Sequence, residues 1–321
     1  MPLWFGIDIG GTKCAVVCAV RDTVGEFRIL DKVRIPTAAH PTPQTMLPVL
    51  ADAAERMCAA YCDVPCGFGI SCGGPLDSRS GLILSPPNLP GWDNVPIVAY
   101  FCKRFSVPVF LQNDANACAV AEWKFGAGAG CRNMIFLTFG TGLGAGLILN
   151  GKLYAGTNDM AGEAGHIRLA ESGPEGYGKA GSFEGFCSGG GIERMAKAMY
   201  REHMQRGGNT ILRDDFSAKT VADAAQQGDA LALRVYETCG AYLGRGLAIL
   251  IDLLNPERIV IGSIFSRSAH LLREAMERTL QCEALPRSAG VCEIVPALLG
   301  EQIGDWAALG VLLSGLEESD D

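Results

Sequence analysis

Apolar residues fall first into short runs punctuated by turn residues. Trp4–Ile9, Ala15–Val20 and Phe27–Ile35 read as three strands of an antiparallel meander, with turns at Gly10-Gly11 and near Gly25. From Pro43 to Tyr61 the rhythm turns helical, with Met46, Leu47, Leu50 and Ala53-Ala54 on one face. Gly67–Ser71 reads as a short buried strand, Asp93–Arg104 as a helix and Val107–Leu111 as another strand. Ala115–Phe125 reads as a helix opened by Asn113-Asp114, whose short polar side chains can cap the first free N–H groups. The pattern then begins again with strands Ile135–Phe139, Gly144–Leu149 and Lys152–Ala155. Helices follow over Gly190–Gln205 and Leu231–Leu254, then strand Arg258–Gly262, helix Ser268–Cys282, strand Val291–Val295 and helix Gly304–Leu316.

A strand, a Gly/Thr turn and antiparallel strands thus occur twice, at Asp8-Ile-Gly-Gly-Thr-Lys13 and at Thr138-Phe-Gly-Thr-Gly142. That predicts an α/β chain built from a duplicated domain, with a site between the halves. No low-complexity tether divides them, which places a hinge near residues 112–118. Composition narrows the function. Hydrophobic residues make up 48% of the 321 positions and charged ones 19%, so a full core is expected. A net charge of −8 argues against a nucleic-acid partner, which would call for a basic face. The uncharged run 133–151 is too rich in Gly for a membrane span, and the start has no basic segment of the kind that opens a signal peptide. Thirteen Cys, an odd number, suit reduced thiols in the cytoplasm. Cys58, Cys62 and Cys66 share helical spacing without paired metal-ligand sets and read as buried small hydrophobes.

The two turns carry the candidate chemistry. Gly10 and Gly11 after a strand let backbone N–H groups approach an oxyanion, with Thr12 and Lys13 adding a donor and a charge. Asp8 could hold hydrated Mg²⁺. An ordinary Gly-Gly hairpin turn is the alternative. The second turn, Thr138 to Gly142 with Gly140 and Thr141, continues into a strand at Leu147–Leu149, so a dinucleotide fingerprint, which must open a helix, fails. Asp114 could act as a general base or as a plain cap. Glu163 and His166 lie three residues apart in a Gly-rich loop and Glu184 follows; such groups suit vicinal hydroxyls, each a donor and an acceptor.

Taken in order, these segments resemble the ROK (repressor, open reading frame, kinase) family of sugar kinases, in the actin/hexokinase-like superfamily. The resemblance rests on Gly6-Ile-Asp8-Ile-Gly-Gly-Thr12-Lys13, Gly74-Pro75-Leu-Asp77, Ser85-Pro-Pro-Asn88-Leu-Pro-Gly91-Trp92, Asn113-Asp114-Ala-Asn116, Leu137-Thr-Phe-Gly-Thr-Gly142, Ala161-Gly-Glu163-Ala-Gly-His166 and Leu254-Asn-Pro-Glu-Arg-Ile-Val-Ile-Gly262. It implies a two-lobed, ribonuclease H-like fold with a cleft. The smaller lobe would span 1–114, completed by the C-terminal helix 302–321, and the larger lobe 115–301. It implies an ATP- and Mg²⁺-dependent kinase acting on the 6-hydroxyl of a hexose, glucose first among candidates, in a homodimer. Asp114 would be the base; Gly74, Asn88, Asn113, Glu163, His166 and Glu184 would meet the sugar. The Gly10–Lys13 and Thr138–Gly142 turns would hold ATP phosphates, and Gly262 would start the adenosine side. The alternatives are a sugar-responsive repressor, which would add a DNA-binding helix-turn-helix before the kinase core, and a sugar-binding protein without catalysis.

Three departures from the family pattern stand out. The paired Gly after Val260-Ile261 reads Gly262-Ser263, and the sugar-proximal turn reads Cys72-Gly73-Gly74-Pro75. Where family members carry Cys-x-Cys-Gly-x-x-Gly-Cys-x-Glu, this chain has Glu175, Tyr177 and Ser182 in place of the three thiolates. No structural zinc is therefore expected. Packing of Tyr177, Phe183 and Phe186, with hydrogen bonds from Tyr177 and Ser182, should hold that loop instead.

Overall fold

The computed structural model describes residues 2–320. Its strands are β1 (Leu3–Ile9), β2 (Lys13–Arg21), β3 (Phe27–Pro36), β4 (Pro65–Cys72), β5 (Leu76–Asp77), β6 (Leu82–Ile83), β7 (Val109–Asn113), β8 (Met134–Phe139), β9 (Leu143–Leu149), β10 (Lys152–Leu153), β11 (Glu175–Gly176), β12 (Lys179–Ala180), β13 (Arg258–Ile261) and β14 (Glu293–Pro296). The helices are α1 (Pro43–Tyr61), α2 (Ile97–Phe105), α3 (Asp114–Phe125), α4 (Phe183–Phe186), α5 (Gly189–Gln205), α6 (Ala218–Gln226), α7 (Ala230–Leu254), α8 (Ile264–Glu283), α9 (Pro286–Ala289) and α10 (Ile303–Asp320). They form two compact units. One comprises Met1–Ala129, Leu153–Ala161 and Glu301–Asp321, the other Gly130–Lys152 and Gly162–Gly300.

The first unit is built on a five-stranded sheet in the order β3-β2-β1-β4-β7. Strands β1 and β2 pair antiparallel, while β1, β4 and β7 run parallel. Period-two alternation divides β1. Leu3, Phe5, Ile7 and Ile9 enter a core shared with α1 and α2, where Phe5 stacks on Phe68 at 5.0 Å. Trp4, Gly6 and Asp8 take the opposite face, under α10, where Trp4 packs with Leu309 and Trp306. Glycine lets that helix lie directly on the sheet: a Cβ at Gly69 would stand only 2.0 Å from the Ala308 carbonyl oxygen.

In the second unit the sheet order is β10-β9-β8-β13-β14, with β8 and β9 antiparallel and β8, β13 and β14 parallel. Position for position this repeats β3-β2-β1-β4-β7, so the duplication read from the two Gly/Thr turns is a duplicated ribonuclease H-like sheet.

Several boundaries differ from the sequence expectation. The helix expected from Asp93 begins at Ile97, because Val95 bridges to Ile83 and Pro96 caps the helix. The chain leaves the first unit after Ala129 instead of near 112–118, since α3 packs against α10 and β7. Residues 153–161 return to that unit, where the Asp159 carboxylate accepts from the Ser78 N–H and hydroxyl, both at 2.8 Å. Helix α8 starts at Ile264, but its backbone leaves helical geometry at Ser268, the residue at which the pattern starts its helix. Helix α6 has no counterpart among the predicted elements; Ser217 caps it by accepting from Thr220 N–H. The three spaced cysteines do not share a helix. Cys58 lies in α1, Cys62 is its exposed left-handed C-cap and Cys66 is in β4.

Candidate active site

At the carboxyl ends of the parallel strands in the first unit, Asp8 pairs in register with Ser71, Ile9 with Cys72, and Cys72 with Asn113. Open parallel sheets offer ligands this edge. The β1–β2 turn is closed by Gly10 N–H donating to Lys13 O at 3.2 Å, and the Thr37 hydroxyl donates to Gly10 O at 2.7 Å. The loop carrying Asn88 lies against this turn, and a Cβ at Gly11 would stand 2.5 Å from Asn88 O. The Gly-Gly pair thus serves close packing as well as any ligand. Gly73 and Gly74 make room for two amides. A Cβ at Gly73 would meet the Asn88 amide at 3.5 Å, and one at Gly74 would meet Asn113 Nδ2 at 3.1 Å. The first unit therefore gathers Asp8, Gly10, Gly11, Thr12, Lys13, Gly74, Asn88, Asn113 and Asp114.

Asp114 opens α3 directly after β7, with Asn113 as the N-cap. The Ala115 N–H donates to both Asn113 Oδ1, at 3.0 Å, and Asp114 Oδ1, at 2.8 Å. Burial raises the Asp114 carboxyl above the ordinary carboxylate range, while its hydrogen bond with Ala115 pulls the other way. Its side chain still reaches solvent. Asp8 is raised to about 6, by burial first and then by Asp114 and Asp305; Lys13 and Lys32 oppose the rise. Asp305, near the start of α10, is paired with Lys32. A Cβ at Gly304 would stand 3.2 Å from Asp8 Oδ2, so this turn of α10 closes over the carboxylate. Gly304 and Asp305 were not singled out in the sequence, because only folding brings the two ends of the chain together.

In the second unit Thr138, Gly140, Thr141 and Gly142 join β8 to β9. Gly140 N–H donates to Gly142 O at 3.1 Å, and the Thr138 hydroxyl accepts from Gly144 N–H at 2.9 Å. Gly189 N–H, at the start of α5, donates to Gly140 O at 2.8 Å. Glu184 Oε2 accepts from Leu143 N–H at 3.0 Å and would stand 2.8 Å from a Cβ at Gly142. The structure thus couples Glu184 to this turn. Glu163 caps and His166 ends a short 3₁₀ turn, both exposed, with His166 N–H donating to Glu163 O at 3.1 Å. Gly262 follows β13 and lies against the Phe136 ring, and Ser263 after it has φ 54° and ψ −108°, backbone that favours glycine.

The segment lacking the three thiolates is a hairpin. Strands β11 and β12 pair through Tyr177-Gly178, both at positive φ, as a type I′ turn requires. Lys179 Nζ donates to His166 O at 2.8 Å and Arg168 to Ala180 O at 2.6 Å. Ser182 Oγ donates to Gly176 O and accepts from Gly185 N–H, capping α4. Phe183 and Phe186 are buried, as expected. Tyr177 is not: it is 79% exposed, because the turn aims it away from the core, with its ring 6.5 Å from that of His166. Among the described residues no three His, Cys, Asp or Glu side chains are grouped so as to hold a metal.

The family model described as the ROK family matches residues 4–312. A glucokinase of Halalkalibacterium halodurans is 35% identical over 313 residues, covering 94% of this chain and 92% of that protein. Among solved structures, a ROK hexokinase from Thermus thermophilus has a TM-score of 0.80 at 31% identity, covering 99% of this chain and 100% of its own. A ROK family glucokinase from Streptomyces griseus, in complex with glucose and AMPPNP, has a TM-score of 0.73 at 29% identity, covering 98% and 99%. The DNA-binding transcriptional dual regulator NagC of Escherichia coli is 33% identical over 255 residues, 77% of this chain and 62% of that protein.

Proposed function

The chain belongs to the ROK family, and from that premise we propose that this ATP-dependent hexose kinase phosphorylates the 6-hydroxyl of a glucose-type sugar with Asp114 as general base. The observation that carries the reading is the setting of Asp114. One carboxylate oxygen is tied to the Ala115 N–H, and burial raises its affinity for a proton. Oδ2 is then the oxygen that takes the hydroxyl proton as the sugar O6 bonds to the γ-phosphorus and the bond to the β–γ bridging oxygen breaks, releasing ADP. Asn88 and Asn113, brought together over Gly73-Gly74, would orient neighbouring hydroxyls. Glu163, His166 and Glu184 would complete the sugar's partners, and the Gly10–Lys13 and Thr138–Gly142 turns, with Gly262, would hold ATP.

Mg²⁺ fits the residues at the end of β1. Asp8 carries a carboxylate whose charge is disfavoured by burial and by Asp114, and Mg²⁺ commonly binds through one or two carboxylates plus substrate phosphates. When bound, the ion neutralises charge on the phosphates; Asp8 would hold it through water. The thirteen cysteines, all free thiols, support a reducing compartment such as the cytoplasm, and no helix among the described residues is long and apolar enough to cross a membrane. The family also supports a homodimer, which sedimentation would test.

Similarity to NagC favours a second reading, a sugar-responsive regulator. Isotope-traced ATP against a panel of hexoses separates the two. Phosphate on O6 of glucose is expected; sugar binding without transfer to any hexose would support the regulator and end the kinase reading.

A further inference from the structure

The corner between β7 and α3 has no loop: Asn113 ends the strand and Asp114 begins the helix. Such a junction leaves the direction of the first helical side chain to the peptide planes just before it. Gln112 holds those planes. Its Oε1 accepts from the Asn113 N–H at 2.8 Å and from Asn116 Nδ2 at 3.1 Å. Asn116 is 1% exposed, and its Oδ1 has no hydrogen-bond partner among the described residues. The bond to Gln112 is therefore what orients this buried amide one turn into the helix. A polar group buried without partners is costly, so the pair resists rearrangement. Asn113, with its N–H fixed by Gln112, turns its Oδ1 to the same Ala115 N–H that holds Asp114 Oδ1.

We propose that Gln112 is a positioning residue for Asp114: by accepting from Asn113 N–H and Asn116 Nδ2 it fixes the strand-to-helix corner, keeping Asp114 Oδ1 on the Ala115 N–H and Oδ2 directed to the substrate hydroxyl. This rests on the reading of Asp114 as the base. Gln112 itself takes no proton and is assigned no contact with substrate. Two features of the corner follow from the role. One atom must accept two bonds at once, since both partners are N–H donors, and it must carry no proton at working pH; an amide oxygen, with two lone pairs, meets both demands. A carboxylate can make the same two bonds, whereas an aliphatic side chain cannot make either.

The test compares Gln112→Ala, Gln112→Glu and Asp114→Asn by steady-state kinetics, with glucose binding followed by calorimetry. A displaced base costs turnover more than binding, so Gln112→Ala should lower kcat about 10- to 100-fold with glucose Kd within about threefold. Gln112→Glu, which restores the acceptor, should recover kcat to within about fivefold of the parent. In an Asp114→Asn background, Gln112→Ala should cause little additional loss, because a residue acting through the base has nothing left to position. Parent-like kcat in Gln112→Ala, or a full extra loss in the Asp114→Asn background, overturns the proposal. Gln112→Glu carries the test if Gln112→Ala does not fold: activity as low as that of Asp114→Asn would overturn it too. If Asp114→Asn alone keeps parent turnover, the base reading has failed, and the proposal falls with it.

Discussion

Asp8 and Asp114 stand a strand apart and are raised by the same first cause, burial, yet their consequences differ. As the proposed base, Asp114 would work only when deprotonated. Its raised proton affinity therefore places the acid limb of the kcat/KM profile above the ordinary carboxylate range, with activity lost as pH falls through it. Asp114→Asn should lower kcat about 10²- to 10⁴-fold, the usual worth of a general base, with sugar affinity within a few-fold. Turnover near that of the parent would remove Asp114 from the role. Asp8 bears on stability. A raised acid binds its proton more tightly in the folded state, so its contribution is favourable at low pH and is lost as pH rises from 3.8 through about 6. At about 1.4 kcal/mol per pH unit, the charged carboxylate costs on the order of 3 kcal/mol at pH 8. Asp8→Asn should raise the melting temperature at pH 8, progressively less toward pH 4, while lowering activity. Equal gains at both pH values would refute the linkage. On the other unit, Glu163→Gln and His166→Ala should each weaken sugar binding by about 1–3 kcal/mol, the loss expected when a hydroxyl loses its partner. Calorimetry showing normal sugar binding with reduced ATP affinity would mean these residues serve the nucleotide.

Among the elements, the β11–β12 hairpin holds its segment with contacts of its own. Its turn demands positive φ at both central residues, and Tyr177 meets that demand poorly. Tyr177→Asn should therefore raise stability by up to about 1 kcal/mol, read from the urea midpoint. A fall would show that the exposed ring supports the loop after all. The hydrogen bonds from Lys179, Arg168 and Ser182 need no cation. Elemental analysis of protein purified without added metal should find well under one zinc per chain, and a strong chelator should leave the melting temperature unchanged. The sequence reading gives no hairpin here, and of the two residues it expects to hydrogen-bond, Ser182 does so. The exposure of Tyr177 was not legible, because an aromatic residue in a sequence carries no sign of which side of a turn it will face.

At the scale of the molecule, thirteen free thiols are sorted by burial, with Cys62 and Cys282 exposed and Cys14, Cys18, Cys72, Cys131, Cys187 and Cys239 buried. Thiol titration of the native protein should accordingly label these two quickly and the buried set only on unfolding. Rapid labelling of Cys187 or Cys239 would mean that the core around α7 opens readily. The sequence by itself determined the order of the main strands and helices, the duplication and the membership of the family, because periodicity, turn residues and motif order are local and survive in one dimension. It also named Asp8, Asn88, Asn113 and Asp114 from their motifs. Only the tertiary structure decided that α3 belongs with the first unit and that Glu184 meets the Gly140–Gly142 turn. It alone laid the start of α10 over Asp8 and made Gln112 the acceptor at the β7–α3 corner. These facts depend on which surfaces pack together and which donors lose water. For α3, Glu184 and α10 the partners are distant in sequence, and no window along the chain contains both; Gln112 shares a window with Asn113 and Asn116, but only packing buries the Asn116 amide and so decides which bond it makes.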